Sequence, residues 1–188
     1  MRNTMKKIIL TVMLLLSSVS FADDQPRNFW LNLGFAGEQW DNNTHRYGYT
    51  QQLGWKIDDN WSVDIANMWR VNPETDYTFQ RIGVGAAYKY KWVGLRVGIG
   101  ERYVRQGSNR FVDVTPSITV PLYDKISGTL SYTYRTSDPS DTLADTSNLI
   151  IAGLSYKASD MYSVGAGLAR SFGSQNFVAP NVNVTVRF

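Results

Sequence analysis

The sequence of 188 residues predicts an all-β fold, a transmembrane, antiparallel, up-and-down β-barrel of about ten strands, with eight or twelve as neighbouring solutions. Three observations predict it. From Asn28 onward apolar and polar residues alternate with period two, and no helical period competes. Polar connections interrupt the alternation in a short and long rhythm. Aromatic residues collect at both ends of the alternating segments and leave aliphatic residues between them.

Residues 1–22 carry a basic start (Arg2, Lys6, Lys7), an apolar run from Ile8 to Leu16 and the small-residue approach Ser20-Phe21-Ala22. That pattern predicts a secretory signal peptide cut after Ala22, because the apolar run is shorter than the roughly 20 residues of a spanning helix. Residues 23–188 then form one barrel domain. The whole chain has 19 basic and 16 acidic residues, and three of the basic ones fall in the signal. The mature chain is therefore balanced, and its charge gives no reason to expect nucleic acid. Without cysteine there is no disulfide framework, thiol nucleophile or cysteine metal site.

In the first segment Phe29, Leu31, Leu33 and Phe35 share one face, and Asn32, Gly34 and Glu38 the other. A polar connection from Gln39 to His45 follows. Tyr47, Tyr49, Leu53, Trp55 and Ile57 mark the second segment, and after Asp58-Asp59-Asn60 the third carries Trp61, Val63, Ile65, Trp69 and Val71. A break at Asn72-Pro73-Glu74 precedes Ile82 to Tyr90, and a tight turn at Lys91-Trp92 leads to Val93, Leu95, Val97 and Ile99. Arg105 to Arg110 reads as a polar loop. Val112 to Leu122 and Ile126 to Tyr134 flank a turn at Tyr123-Asp124. The longest connection, Thr136 to Thr146, leads to Ile150–Tyr156, then Tyr162–Phe172 and a closing segment 177–188.

The rhythm of connections predicts both termini in the periplasm, with short turns inside and longer loops outside. Trp55, Trp61, Tyr88, Tyr90, Trp92, Tyr123, Tyr156, Tyr162 and Phe188 fall near one end of the strands, and Tyr47, Tyr49, Trp69, Tyr103, Tyr132, Tyr134 and Phe172 near the other. Two such girdles are where amphipathic rings settle at headgroup level, whereas a soluble sandwich would gather them centrally. Pro116 and Pro180 predict bulges or strand ends, since neither can donate to a ladder. Gln51, Asn67 and Glu101 also fall on the apolar face, and the expectation for them is a local register slip or a place near the interface.

The closing segment F-V-A-P-N-V-N-V-T-V-R-F alternates strictly, and Val182, Val184, Val186 and Phe188 put an aliphatic series and a final aromatic on one face. Here the sequence resembles the Gram-negative outer-membrane β-barrel proteins, whose last strand ends in an aromatic read by the barrel-assembly machinery. The resemblance implies location in the outer membrane, with lipid, lipopolysaccharide, periplasmic chaperones and that machinery as partners.

If the apolar face meets lipid, the other lines a lumen. It carries Arg46, Lys56, Arg70, Arg81, Lys89, Arg96, Arg102, Arg135, Lys157 and Arg187 against Glu38, Asp64 and Asp113. The balancing acids then belong to turns and loops, such as Asp138, Asp141 and Asp145. A basic interior attracts anions, so Arg70, Arg81, Arg96, Arg102 and Arg135 are the expected selectivity residues. The lumenal glycines, among them Gly83, Gly85, Gly98 and Gly100, either leave open space or make room for long side chains. A barrel of eight strands is just filled by its side chains, and ten is closer to that case than to a porin of sixteen. The Arg-lined small barrel weakly resembles channels for acidic oligosaccharides, which usually have twelve strands and a longer chain.

Chemistry of other kinds has little support. His45, near Glu38 and Asp41, is the single histidine, and an Asp–His pair activating water at the rim is the enzymatic alternative. Ser137, Ser140 and Ser147 cannot complete a triad without it. Gly83-Val84-Gly85 lacks the third glycine and following helix of a dinucleotide loop. Asp58-Asp59-Asn60 is too short to surround calcium. The expectation is a monomeric, non-enzymatic channel for small anionic solutes, without cofactor or metal, and a non-conducting structural or surface-interaction barrel is the alternative.

Overall fold

A computed structural model describes residues 28–41, 44–73, 77–137, 146–173 and 176–188. The expected signal peptide and the acids Asp138, Asp141 and Asp145 lie outside the described residues. Ten antiparallel strands follow one another: β1 (Phe29–Trp40), β2 (His45–Lys56), β3 (Trp61–Asn72), β4 (Tyr77–Tyr90), β5 (Val93–Val104), β6 (Gly107–Tyr123), β7 (Ile126–Ser137), β8 (Ser147–Lys157), β9 (Tyr162–Gly173) and β10 (Phe177–Arg187). Each pairs with its sequence neighbours, and β1 pairs with β10, so the sheet closes into a barrel. Among the described residues there is no helix, and none could be long and apolar enough to cross a membrane.

Closure leaves no unpaired edge to aggregate or to face lipid. Leu33 sits opposite Val184 and Phe35 opposite Val182. At the end where β1 begins and β10 finishes, Phe29 and Phe188 exchange backbone hydrogen bonds of 3.0 and 2.9 Å, and their rings stack 6.2 Å apart. The turns 57–60, 91–92, 124–125 and 158–161 share that terminal end. The opposite end, the loop end, is where β1, β3, β5, β7 and β9 finish and β2, β4, β6, β8 and β10 begin.

Two boundaries differ from expectation. β1 runs on to Trp40, so the first connection is 41–44 and not 39–45. The expected loop 105–110 shrinks to a turn at Arg105-Gln106, because Gly107 to Arg110 continue the ladder with Glu101 to Val104. Only 138–146 remains long, and the rhythm of connection lengths is weaker than the polar runs implied. Polar side chains at strand ends read as loop although their backbones pair.

The two prolines keep register. Pro116 stays opposite Leu95 and Pro180 opposite Leu168. A missing N–H removes one ladder bond without adding a residue. The one irregularity described between strands is at Pro121/Tyr123, beside the turn to β7. Lys91 takes φ 51°, the left-handed backbone that the tight turn between β4 and β5 requires.

The polarity inversion holds. Val97 and Val184, which would be central in a soluble core, are 44% and 41% exposed, and Trp55, Trp61, Tyr90, Trp92 and Tyr123 are exposed toward one end of the wall. Val186 departs from its series. It is 3% exposed, between Leu31 and Tyr162 in the ladder. Gln51, Asn67 and Ile82 lie along one unbroken pairing row, so the expected slip there is absent. Glu101 sits near the loop end, where it accepts hydrogen bonds from Tyr103 and Ser108, as an interfacial place would have it.

Candidate functional site: a cationic, aromatic-lined lumen

The inward positions of β1 to β4 that approach the loop end bring Glu38, Trp40, Arg46, Arg70, Phe79 and Arg81 together, and β6, β7 and β10 add Phe111, Arg135 and Phe177. Their guanidinium groups and rings alternate. Arg46 lies 3.9 Å from the Trp40 ring centroid, and Arg70 lies 5.6, 4.7 and 4.8 Å from Trp40, Phe79 and Phe177. Arg81 follows at 5.1 Å from Phe79 and 5.9 Å from Phe111, and Arg135 at 5.2 Å from Phe111. Cation–π attraction and packing both favour such an order, and the rings shield each guanidinium from its neighbours. Arg70 is also paired with Glu38, Nε to Oε1 2.5 Å, and the two are 3% and 4% exposed.

Toward the barrel middle Arg96 grips two acids. Its Nε and Nη2 donate to Asp64 at 2.9 and 2.8 Å, and its Nη1 to Asp113 at 2.8 Å. Arg135 reaches the other Asp113 oxygen at 3.7 Å. This bidentate geometry needs space that glycine supplies, since a Cβ on Gly98 would stand 2.7 Å from both the Arg96 Nη1 and the Asp113 Oδ1. A Cβ on Gly100 would first strike the Ile82 carbonyl oxygen of β4, and then the Gly83 Cα and the Phe111 ring, each at 2.7 Å, so there glycine admits close strand approach as well as the ring. These glycines seat particular side chains.

Arg102 lies directly opposite Arg81 in the β4–β5 ladder, its Nε donating to Asn109 at 2.9 Å, and Asn109 in turn donating to Ser137 at 2.8 Å. Arg70, Arg81 and Arg135 share the aromatic layer, and Arg96 lies below it. A cavity of about 190 Å³ between these levels is lined by Thr50, Gln52, Arg81, Arg96, Asp113 and Arg135. At the terminal end a second cavity of about 280 Å³ gathers Lys125, Lys157 and Arg187 against Asp160. Lys157 and Lys56 are each held by a turn acid three residues on, Asp160 at 2.6 Å and Asp59 at 2.7 Å, and the hydrogen bond from Lys56 keeps the Asp59 carboxyl below its usual range.

The sequence reading did not foresee the rings. Trp40, Phe79, Phe111 and Phe177 face the lumen, and Phe177 packs with Ala169, Ala179, Ala36, Leu149 and Ile151 into a small dry core on one side of it. A signal was available: Phe79 precedes Arg81 by two, Phe111 precedes Asp113 by two, and Trp40 follows Glu38 by two. Residues two apart in a strand share a face. His45, by contrast, is exposed at the start of β2 and Glu38 points inward to Arg70, and among the described residues no hydrogen bond or ion pair joins His45 to Asp41 or Glu38. Among the described residues no group of three metal-ligating side chains assembles.

Fold and lumen together define an up-and-down barrel with an apolar outer wall and a cationic, partly filled interior. No protein-family model matches the sequence, and no curated protein matches it. Among solved structures it is similar to the translocator domain of autotransporter NalP from Neisseria meningitidis, at 12% identity and TM-score 0.48, over 100% of this chain and 98% of that one. It is also similar to the KdgM porin in complex with disordered oligogalacturonate, at 9% identity and TM-score 0.49 over 85% and 99% of the chains. The NanC porin is similar at 10% identity and TM-score 0.45 over 85% and 98%.

Proposed function

We propose that the chain is an integral outer-membrane barrel, non-enzymatic and porin-like, that lets small anions diffuse through a narrow cationic lumen, with both termini in the periplasm. The observation that carries this reading is the succession of positive groups along the axis: Lys125, Lys157 and Arg187 at the terminal end, Arg96 in the middle, then Arg135, Arg81, Arg70 and Arg46. Against them stand Asp160, Asp64, Asp113 and Glu38. In surroundings of low effective dielectric such an excess favours anions and opposes cations. The arginine and aromatic layer is made of side-chain tips, so the width of a passage through it depends on Arg and Phe rotamers. Apolar side chains on the outer wall support the membrane location.

Planar-bilayer recording tests the reading. Small, anion-selective conductance steps are expected, and replacing both Arg81 and Arg135 with glutamine is expected to move the reversal potential toward cation preference. Folded protein that gives no steps, or cation preference in the parent chain, would discard it. A non-conducting structural barrel is the second reading. What favours it is the tight filling at the loop end, where Arg81 is 6% and Phe177 4% exposed.

The closing strand is proposed as the assembly signal, through Val182, Val184, Val186 and Phe188. Substituting Phe188 with alanine is expected to cut the amount of folded barrel recovered from outer membranes, read as the heat-modifiable band on electrophoresis. Spontaneous refolding of the same variant into vesicles should proceed normally. Equal loss in both settings would mean that Phe188 matters only for its packing on Phe29.

A further inference from the structure

We propose that the outer wall over β2, β3 and β4 is the contact surface for a second copy of this chain, held by an amide patch of Gln51, Asn67 and Gln80. The proposal rests on the membrane location given above, and it departs from the monomer expected from sequence. Gln51 lies directly opposite Asn67, both at mid-strand, and Gln80 Nε2 donates to Asn67 Oδ1 at 2.9 Å. That one bond leaves the Gln51 amide, the Asn67 Nδ2 and the Gln80 Oε1 with no hydrogen bond to the described residues. All three side chains share the outward face with Leu53 and Ile65 and are half-buried. Acyl tails have neither donors nor acceptors, so such groups are costly in a bilayer until another span satisfies them.

The wall is lopsided in this respect. At mid-strand the outward positions of β6 to β10 hold Val114, Ile118, Leu130, Leu154, Leu168 and Val182, with no amide or charge, and the outward Arg170 of β9 lies nearer the loop end. The patch carries no net charge and contains both donors and acceptors, which makes it its own complement. A twofold axis through it would set each amide against the same amides of the partner, the isologous arrangement typical of dimers. Beside the patch Leu53, Val63, Ile65, Val84, Val97 and Ile99 line an apolar hollow of about 570 Å³, and a second hollow of about 730 Å³ lies over β4 to β7. Two convex cylinders touch along a line, whereas a hollow lets side chains of one copy enter the other.

The chain has no cysteine, so one introduced thiol reports on one place. Ile65→Cys puts it on the patch, and Leu154→Cys puts it on β8; both positions are exposed. After refolding into vesicles and treatment with an oxidant or a short bis-thiol reagent, Ile65→Cys should give a covalent dimer and Leu154→Cys should not. The dimer should vanish when Gln51, Asn67 and Gln80 are all leucine, a change that keeps the barrel folded by heat-modifiability. Absence of the Ile65→Cys dimer, equal capture at both positions, or capture unaffected by the three leucines would overturn the proposal. Failure here beside a large destabilisation by Val184→Arg in vesicles would remove the dimer and leave the membrane location standing.

Discussion

Replacing Glu38 with alanine is expected to lower the unfolding free energy of the barrel by about 3 to 5 kcal/mol, the usual cost of leaving a buried charge without its partner. The cost arises because Arg70 cannot leave. Its guanidinium is enclosed by Trp40, Phe79 and Phe177 and is 3% exposed, with Arg46 and Arg135 as its other charged neighbours. Without Glu38 it keeps two like-charged neighbours, Arg46 and Arg135. Urea titration of vesicle-refolded protein, followed by tryptophan fluorescence, measures the loss. Changing Glu38 to leucine and Arg70 to methionine together should recover most of it, since a buried pair exchanged for packed apolar groups is often neutral. The experiment also bears on transport. A loss below about 1 kcal/mol, the range of solvated ion pairs, would mean that water reaches Arg70 and that the layer is wet and passable. A loss in the full range means that passage requires the layer to rearrange.

Strand number and wall orientation were legible because both depend on a period of two that survives even where boundaries are vague. Each of the ten expected segments is a strand, and Leu33, Val97 and Val184 face outward as the alternation requires. The lumen was half legible. Charged residues on the polar face were placed correctly, and Arg96 with Asp64 and Asp113 could be seen as inward groups without their mutual contact being foreseen. Trp40, Phe79, Phe111 and Phe177 were missed because in a membrane barrel an aromatic residue ordinarily argues for the outer girdle. Only their parity with Glu38, Arg81 and Asp113 contradicts that. Gln51 and Asn67 show the opposite case: alternation placed them correctly, and chemical expectation argued for moving them. The pattern deserved more weight than the polarity of two residues.

Arginine at position 97 or 184 should separate a membrane wall from an ordinary protein surface. Val97 lies between Ala86 and Val114, and Val184 between Leu33 and Val164, each near the middle of its strand and facing out. In a bilayer such a position lies near the midplane, where arginine is expected to cost about 2 to 4 kcal/mol. Tyr90 supplies the depth control. It is 57% exposed but sits at the terminal end of β4, so arginine there should cost about 0 to 1 kcal/mol. On a water-facing barrel all three substitutions would be surface changes within about 0.5 kcal/mol of neutral. Equilibrium unfolding of Val97→Arg, Val184→Arg and Tyr90→Arg in vesicles reads the difference directly. Equal and small effects at the three positions would put water outside this wall, and the cationic lumen would then have no membrane to cross. A steep depth profile requires hydrocarbon there, because no property of the folded chain alone makes an exposed mid-strand arginine several times costlier than one at the strand end.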